Sequence, residues 1–201
     1  MGKLRPMRVL LIYCHPLAES YAAALRDAAV QSLRTAGHKV EVRDLYAEGF
    51  DPVLSASERR NYYDQEAEAG STDHHVAALR DAEALVFVYP TWWFGMPAML
   101  KGWIDRIWLP GIAFRLAGPG ALQPLLTNIR HITVITTYGS PRWLLWLVGW
   151  PDWRLFRRGI RTLCAPRCRL EWLSLTNMDA CTPKARQRFI ARVRRRLAAH
   201  R

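Results

Sequence analysis

The chain has 201 residues, 50% of them hydrophobic, so it can bury the core of one domain spanning 1–201 and is too apolar for a disordered segment. No apolar run reaches the roughly 20 residues that a membrane-spanning helix needs. A formal net charge of +12, with eight basic and no acidic residues from Lys184 onward, favours anionic partners.

The basic start Met1–Met7 leads into an apolar run, Val9 to Tyr13, that is far too short for a signal-peptide core, and a cytoplasmic protein is expected. Cys14, Cys164, Cys168 and Cys181 show neither C-x-x-C pairing nor zinc spacing with histidines. They read as reduced thiols, with Cys164 and Cys168 able to share a helix face. Arg8–Tyr13 predicts a first strand buried on both faces. The polar loop His15–Tyr21 follows, with Ser20 placed to cap a helix from Tyr21 to about Ala36 that stops at Gly37. A polar loop feeding a helix N-terminus suits a phosphate. There is no G-x-G-x-x-G fingerprint and no Walker loop, so neither of those nucleotide sites is indicated. On the residues alone His15 reads first as a loop histidine near the surface and Ser20 as a plain cap.

Lys39–Asp44 alternates apolar and polar residues, as in a half-buried strand. Residues 55–71 are polar and predict a mobile excursion or short helix, with a dimer contact as one use. A helix from about Thr72 to Asp81 comes next. It carries His74-His75, but adjacent helical positions diverge and no third ligand lies near in sequence, so no metal site is expected.

Ala84–Tyr89 is an apolar run of the length and type of a buried parallel strand, closed by Pro90. Thr91-Trp92-Trp93-Phe94-Gly95 forms the loop beyond it. Pro97 then opens a helix whose apolar face is Met99, Leu100, Trp103, Ile104 and Ile107. Open α/β sheets bind ligands at the carboxyl ends of their strands, where this loop lies. Free N–H groups before a helix, beside flat aromatic rings, suit a large planar ligand with acceptors on its edge, such as a flavin. The competing reading is an ordinary βα turn whose tryptophans only pack on the next helix.

Gly/Pro-rich residues 117–124 predict a loop. His131–Thr137 is the fourth strand and ends in Tyr138-Gly139-Ser140. Cys168–Leu175 is the fifth strand. The last helix, Thr182 to about Ala199, buries Phe189, Ile190, Val193 and Leu197 and leaves its arginines solvated. It carries no groove-reading motif, so no nucleic acid is expected.

Tyr89-Pro-Thr-Trp-Trp-Phe-Gly-Met-Pro-Ala-Met-Leu-Lys-Gly-Trp-Ile-Asp-Arg106 resembles the signature of the flavodoxin-like NAD(P)H:quinone oxidoreductases, of the DT-diaphorase and potassium-efflux ancillary type. The stretches Asp44-Leu-Tyr…Phe50-Asp-Pro52 and Leu109–Arg115 are similar as well. The resemblance implies a flavodoxin-like doubly wound α/β sandwich, a five-stranded parallel sheet in the order 2-1-3-4-5 with helices on both faces. It also implies bound FMN or FAD and two-electron reduction of a quinone with NAD(P)H as co-substrate; one pocket serving both substrates predicts ping-pong kinetics, and a homodimer is expected. Pro90, Thr91, Trp92, Trp93 and Phe94 would line the isoalloxazine ring, with the amides near Trp93 and Phe94 at its reactive edge. His15 and Ser20 would meet the phosphate with Tyr21 alongside, although Ala22 departs from relatives that carry an amide there. The main chain at Thr136, Thr137, Tyr138 and Gly139 would meet the other edge of the ring.

Beyond residue 140 the match thins. Relatives carry a Tyr and a His that assist hydride transfer; the ungapped positions here are Leu144 and Trp150. No side chain in 142–153 reads as a replacement, so no acid or base is assigned, and Tyr138 is the one candidate donor to a quinone oxygen. The segment Arg142–Arg158 has four tryptophans in eleven residues. It reads as a lid and dimer contact, as core, or as a peripheral foot on the inner membrane face. The alternative function is a flavin-binding accessory subunit of a membrane transporter. A small one-electron flavodoxin fits less well, because such carriers are usually acidic.

Overall fold

The computed structural model describes residues 5–63, 72–118 and 121–199. The part of the expected polar excursion at 64–71 lies outside the described residues. Five parallel strands form the sheet: β1 (Arg8–Tyr13), β2 (Lys39–Asp44), β3 (Ala84–Pro90), β6 (His131–Thr137) and β7 (Arg169–Leu175). Their spatial order is β2-β1-β3-β6-β7. This differs from 2-1-3-4-5 in chain numbering because an antiparallel pair, β4 (Phe114–Gly118) and β5 (Ala121–Pro124), intervenes between the third and fourth strands of the sheet. Of residues 117–124, expected as a loop, the described ones, 117–118 and 121–124, therefore belong to paired strands. Leu116 pairs with Leu122 and Arg115 with Gln123, and Gly118, at the end of β4, has a positive φ of 141°, open to glycine.

The helices are α1 (Tyr21–Thr35), α2 (Ala56–Arg60), α3 (Asp73–Asp81), α4 (Ala98–Ile107), α5 (Arg142–Leu147), α6 (Pro151–Arg158) and α7 (Pro183–Ala198). Successive strand residues point to opposite faces, and the core divides accordingly. Leu10, Ile12, Leu85, Phe87, Ile132 and Val134 share one cluster with Leu79 of α3, Leu100 and Trp103 of α4 and Phe156 of α6. Val9, Leu11, Val86, Val88 and Ile135 share the other with Leu25 and Leu33 of α1 and Val193 and Leu197 of α7. No helix among the described residues is long and apolar enough to cross a membrane.

On α4, Leu100, Trp103 and Ile107 are fully buried, while Met99 and Ile104 pack at the margin of the first cluster. Gly102 is required by close approach: a Cβ there would lie 2.2 Å from the Pro52 carbonyl oxygen. Arg106, buried on the same helix, bonds Glu58 of α2 and sits over the Phe50 ring. Cys164 and Cys168 are buried free thiols but do not share a helix: Cys164 follows a 3-10 turn at Ile160–Leu163, and Cys168 immediately precedes β7.

Candidate active site

The site begins where β3 ends. Pro90 still pairs with Thr137, Thr91 donates its N–H to the Thr137 carbonyl at 2.8 Å, and the Thr91 and Thr136 hydroxyls are 3.0 Å apart. Trp92 and Gly95 then close a two-residue turn with reciprocal bonds, Trp92 N–H to Gly95 O at 2.9 Å and Gly95 N–H to Trp92 O at 3.1 Å. Its central residues, Trp93 and Phe94, have φ of 52° and 61°. Two left-handed central residues define a type I′ turn, which glycine and asparagine normally occupy. For bulky residues the strain is on the order of 1–3 kcal/mol each. The Trp93 side chain does not repay it by packing, being 96% exposed. The plain βα-turn reading, with Trp93 seated on the next helix, is therefore corrected. Among the described residues, neither the Trp93 nor the Phe94 N–H donates to another backbone group.

Thr91, Trp93, Phe94, Tyr138, Gly139, Ser140 and Asp179 line a cleft of about 270 Å³ between this turn and the one after β6. A Cβ on Gly139 would lie 2.8 Å from the Asp179 carboxylate, so only glycine fits there without a shift. Asn177, φ 58°, donates its N–H to the Ser140 carbonyl, and Met178 donates to that of Tyr138. Trp150, φ 52°, packs edge-on against Tyr138 at 5.7 Å. The left-handed non-glycine residues among those described, Trp93, Phe94, Trp150 and Asn177, thus all border one region. Strain of this kind collects at functional sites.

The first loop reaches the same region through His15, whose ring lies 6.2 Å from that of Trp92. His15 Nδ1 accepts the Leu17 N–H at 3.0 Å, which leaves the proton of a neutral ring on Nε2. Ser20 caps α1 by accepting the Ala23 N–H at 3.1 Å, and its hydroxyl lies 3.2 Å from that of Tyr13. Tyr21 donates its hydroxyl to the Arg186 carbonyl on α7 at 2.7 Å, so only its ring is free for a ligand.

The Tyr138 hydroxyl, the candidate donor to a quinone, is buried beside Thr91 and Trp172 with no hydrogen bond of normal geometry. Burial raises its pKa, and it is directed into the fold.

One residue the sequence reading passed over is Asp152. It occupies the first turn of α6 behind Pro151, where an acidic residue reads as an ordinary favourable charge at a helix start. Its carboxylate turns inward instead, at 4% exposure. Oδ1 accepts the Met96 N–H at 3.0 Å and Oδ2 accepts the Tyr89 hydroxyl at 3.1 Å. Burial pushes its pKa up to about 6, against the opposing pull of those two bonds. A titratable side chain therefore does stand within 142–153.

His74 and His75 do not diverge, and a third donor is present: Glu48 Oε2 lies 3.8 Å from His74 Nε2 and 3.5 Å from His75 Nε2. His75 turns into the core against Phe50, and the turn after β2 delivers Glu48 from afar in sequence. The chemistry of the set opposes a metal. His75 Nδ1 accepts the Trp103 Nε1–H at 3.3 Å, so a neutral ring keeps its proton on Nε2, and Arg43 already sits 3.9 Å from Glu48. Burial, followed by the neighbouring His74, lowers His75 to about 4. On α5, Trp143 and Trp146 are 67% and 77% exposed, which corrects the core reading for these two; Leu145 and Phe156 supply the buried contacts of the segment.

Residues 7–199 match the protein family described as flavodoxin-like fold. The Homo sapiens ribosyldihydronicotinamide dehydrogenase (quinone) is 32% identical over 166 residues, covering 69% of this chain and 72% of that protein. The Cavia porcellus NAD(P)H dehydrogenase (quinone) 1 is 33% identical over 156 residues, covering 70% of this chain and 56% of that protein. The solved NAD(P)H:quinone oxidoreductase from Methanothermobacter marburgensis superposes with a TM-score of 0.81 at 28% identity, over 96% of each chain.

Proposed function

Because the chain belongs to the flavodoxin-like family of NAD(P)H:quinone oxidoreductases, we propose that it is a flavin-dependent oxidoreductase using NAD(P)H as donor and a quinone as acceptor. The observation that carries this reading is the aromatic turn, where strained backbone holds an indole bare to solvent and stabilises nothing in the protein alone. The donor set fits a flavin: two adjacent unengaged amides, a flat exposed ring, and a capped helix N-terminus next to His15. When bound, a flavin would supply the two-electron chemistry between NAD(P)H and a quinone.

The chain's own residues bind and orient. Pro90, Thr91, Trp92, Trp93 and Phe94 would wall the ring, and the Trp93 and Phe94 amides would donate to its edge and stabilise developing negative charge. The main chain of Thr136, Thr137, Tyr138 and Gly139, tied to the aromatic turn by the Thr91–Thr137 bond, would take the opposite edge. His15 Nε2–H and the Ser20 hydroxyl receive the phosphate at the positive end of α1, with the Tyr21 ring alongside. One cleft serves donor and acceptor in turn, which is the basis for ping-pong kinetics.

A homodimer completes the reading, with Trp143, Trp146 and Leu147 exposed on α5, the helix that follows the cleft-lining Ser140, and available to a second copy. Contact of this face with an anionic membrane is the other use, and co-sedimentation with anionic vesicles separates the two. Nothing in the site favours the transporter-subunit alternative. Purified protein that is yellow, releases FMN or FAD on heating and oxidises NADPH with menadione supports the function. Colourless protein that binds neither riboflavin phosphate nor FAD overturns it.

A further inference from the structure

We propose that Asp152 is a positioning residue: from the first turn of α6 it clasps Met96 and Tyr89 and so fixes the Trp93–Phe94 turn in the conformation that receives the flavin. The proposal rests on the flavin reading of the cleft. Its support is geometric. A type I′ turn with bulky central residues does not hold itself against the strain, and its two reciprocal bonds to Gly95 fasten it only at its base. The chain leaves the turn through Met96, and the Met96 N–H has one acceptor, Asp152 Oδ1. The second carboxylate oxygen takes the hydroxyl of Tyr89, on the last buried residue of β3 before the turn begins. One side chain therefore holds both stems of the loop. The left-handed Trp150 and Pro151 immediately precede Asp152 at the start of α6.

The clasp is strongest in the charged form, because an ionised acceptor roughly doubles the strength of a hydrogen bond. Protonation also puts a hydrogen on an oxygen that is already accepting one. The titratable groups facing Asp152 are Tyr89 of β3 and Tyr138 beyond β6, both neutral at physiological pH through burial. The nearby cations are turned elsewhere: Arg154 packs against Gly149 and Arg157 lies over Trp153. With burial placing the carboxyl near 6, the turn loosens as pH falls through that value, and flavin affinity weakens with it.

The test needs no turnover. The chain contains five methionines, so selective ¹⁵N-methionine labelling isolates the Met96 amide. In the flavin-free protein its chemical shift is expected to titrate with an inflection near pH 6. The inflection should disappear in Asp152→Asn and move to higher pH in Tyr89→Phe, which loses a bond that favours the carboxylate. Dissociation constants for FMN and FAD, measured in parallel at pH 7.5, are expected to rise at least about tenfold in Asp152→Ala. Asp152→Asn, which keeps an acceptor for Met96 but not the charge, should recover only part of that loss, and its flavin affinity should no longer change with pH around 6. A Met96 shift that does not titrate, or an Asp152→Ala protein that binds flavin like the wild type, overturns the proposal. If Asp152→Ala does not fold, the Asn and Phe variants decide by the same two readouts. Wild-type protein that binds no flavin would overturn the functional reading instead, a result the methionine titration keeps distinct.

Discussion

Asp152 accepts the Met96 amide at 3.0 Å across 56 residues of sequence, tying the helix beyond the fourth strand of the sheet to the turn beyond the third. The bond is made by a carboxylate that the fold desolvates, so binding competence and stability pull in opposite directions at this one position.

The sign of that conflict can be measured. The Asp152 pKa is raised from 3.8 to about 6 in the folded chain. The folded state therefore holds its proton longer than the unfolded state. The stability this represents is fully present below about pH 4 and is lost as pH rises through about 6, amounting to ~3 kcal/mol at neutral pH. Asp152→Asn removes the cost of the buried charge, and urea denaturation at pH 7.5 should show a protein more stable than wild type by ~2–3 kcal/mol while its flavin affinity is no better. Destabilisation at that pH would refute the burial argument.

His75 supplies the opposite slope. Its pKa is lowered from 6.5 to about 4, so the unfolded chain takes up a proton that the folded one refuses, and stability falls as pH drops from about 6.5 towards 4. In the wild type the Asp152 and His75 contributions oppose each other over this range. Stability measured in steps from pH 4.5 to 7 should therefore vary little through these two groups, and Asp152→Asn should uncover a clear acid-side decline. An Asp152→Asn profile as flat as the wild type would argue against the buried neutral His75.

Trp93 is a site where substitution should stabilise. Glycine adopts φ near 52° without penalty, and the indole it replaces is 96% exposed. Trp93→Gly is expected to raise stability by about 1 kcal/mol, less than the full relief of strain because glycine also gains freedom in the unfolded chain. Flavin binding should weaken by roughly threefold to tenfold through loss of a stacking face. A thermal shift and a flavin titration on the same preparation check both halves.

Gly102 gives the reverse case. Alanine improves helix propensity by about 1 kcal/mol, yet its Cβ would sit 2.2 Å from the Pro52 carbonyl oxygen. Overpacking costs about 1–3 kcal/mol and occasionally more, so Gly102→Ala should lower the melting temperature. An unchanged melting temperature would mean that the 50–54 segment moves aside freely.

Much of this was legible in the sequence because the relevant signals are local. The β1 run Arg8–Tyr13, the Ser20 cap with its Gly37 stop, and the strand–loop–helix built on Pro90, Gly95 and Pro97 each declare themselves within a few residues. The three loops quoted from the resemblance also fall near one another, through His15 against Trp92 and Thr91 against Thr137. What escaped was long-range. Asp152 looks like any acidic residue in a first helical turn until the fold brings Tyr89 and Met96 to it. Glu48 joins His74 and His75 only because the turn after β2 passes α3. The β4–β5 hairpin was hidden by the Gly/Pro content of 117–124, which signals a reversal but not the pairing of Leu116 with Leu122. The left-handed backbone of Trp93 and Phe94 carries no local signal at all, since tryptophan and phenylalanine are not turn formers.

The most direct test of the account is amide hydrogen exchange on the flavin-free protein and on the same protein saturated with FMN and with FAD. Simultaneous protection of the segments 15–21, 91–96 and 136–139 is the predicted result. Protection of one segment alone, or of none at saturating flavin, would contradict the claim that these turns hold a single ring between them.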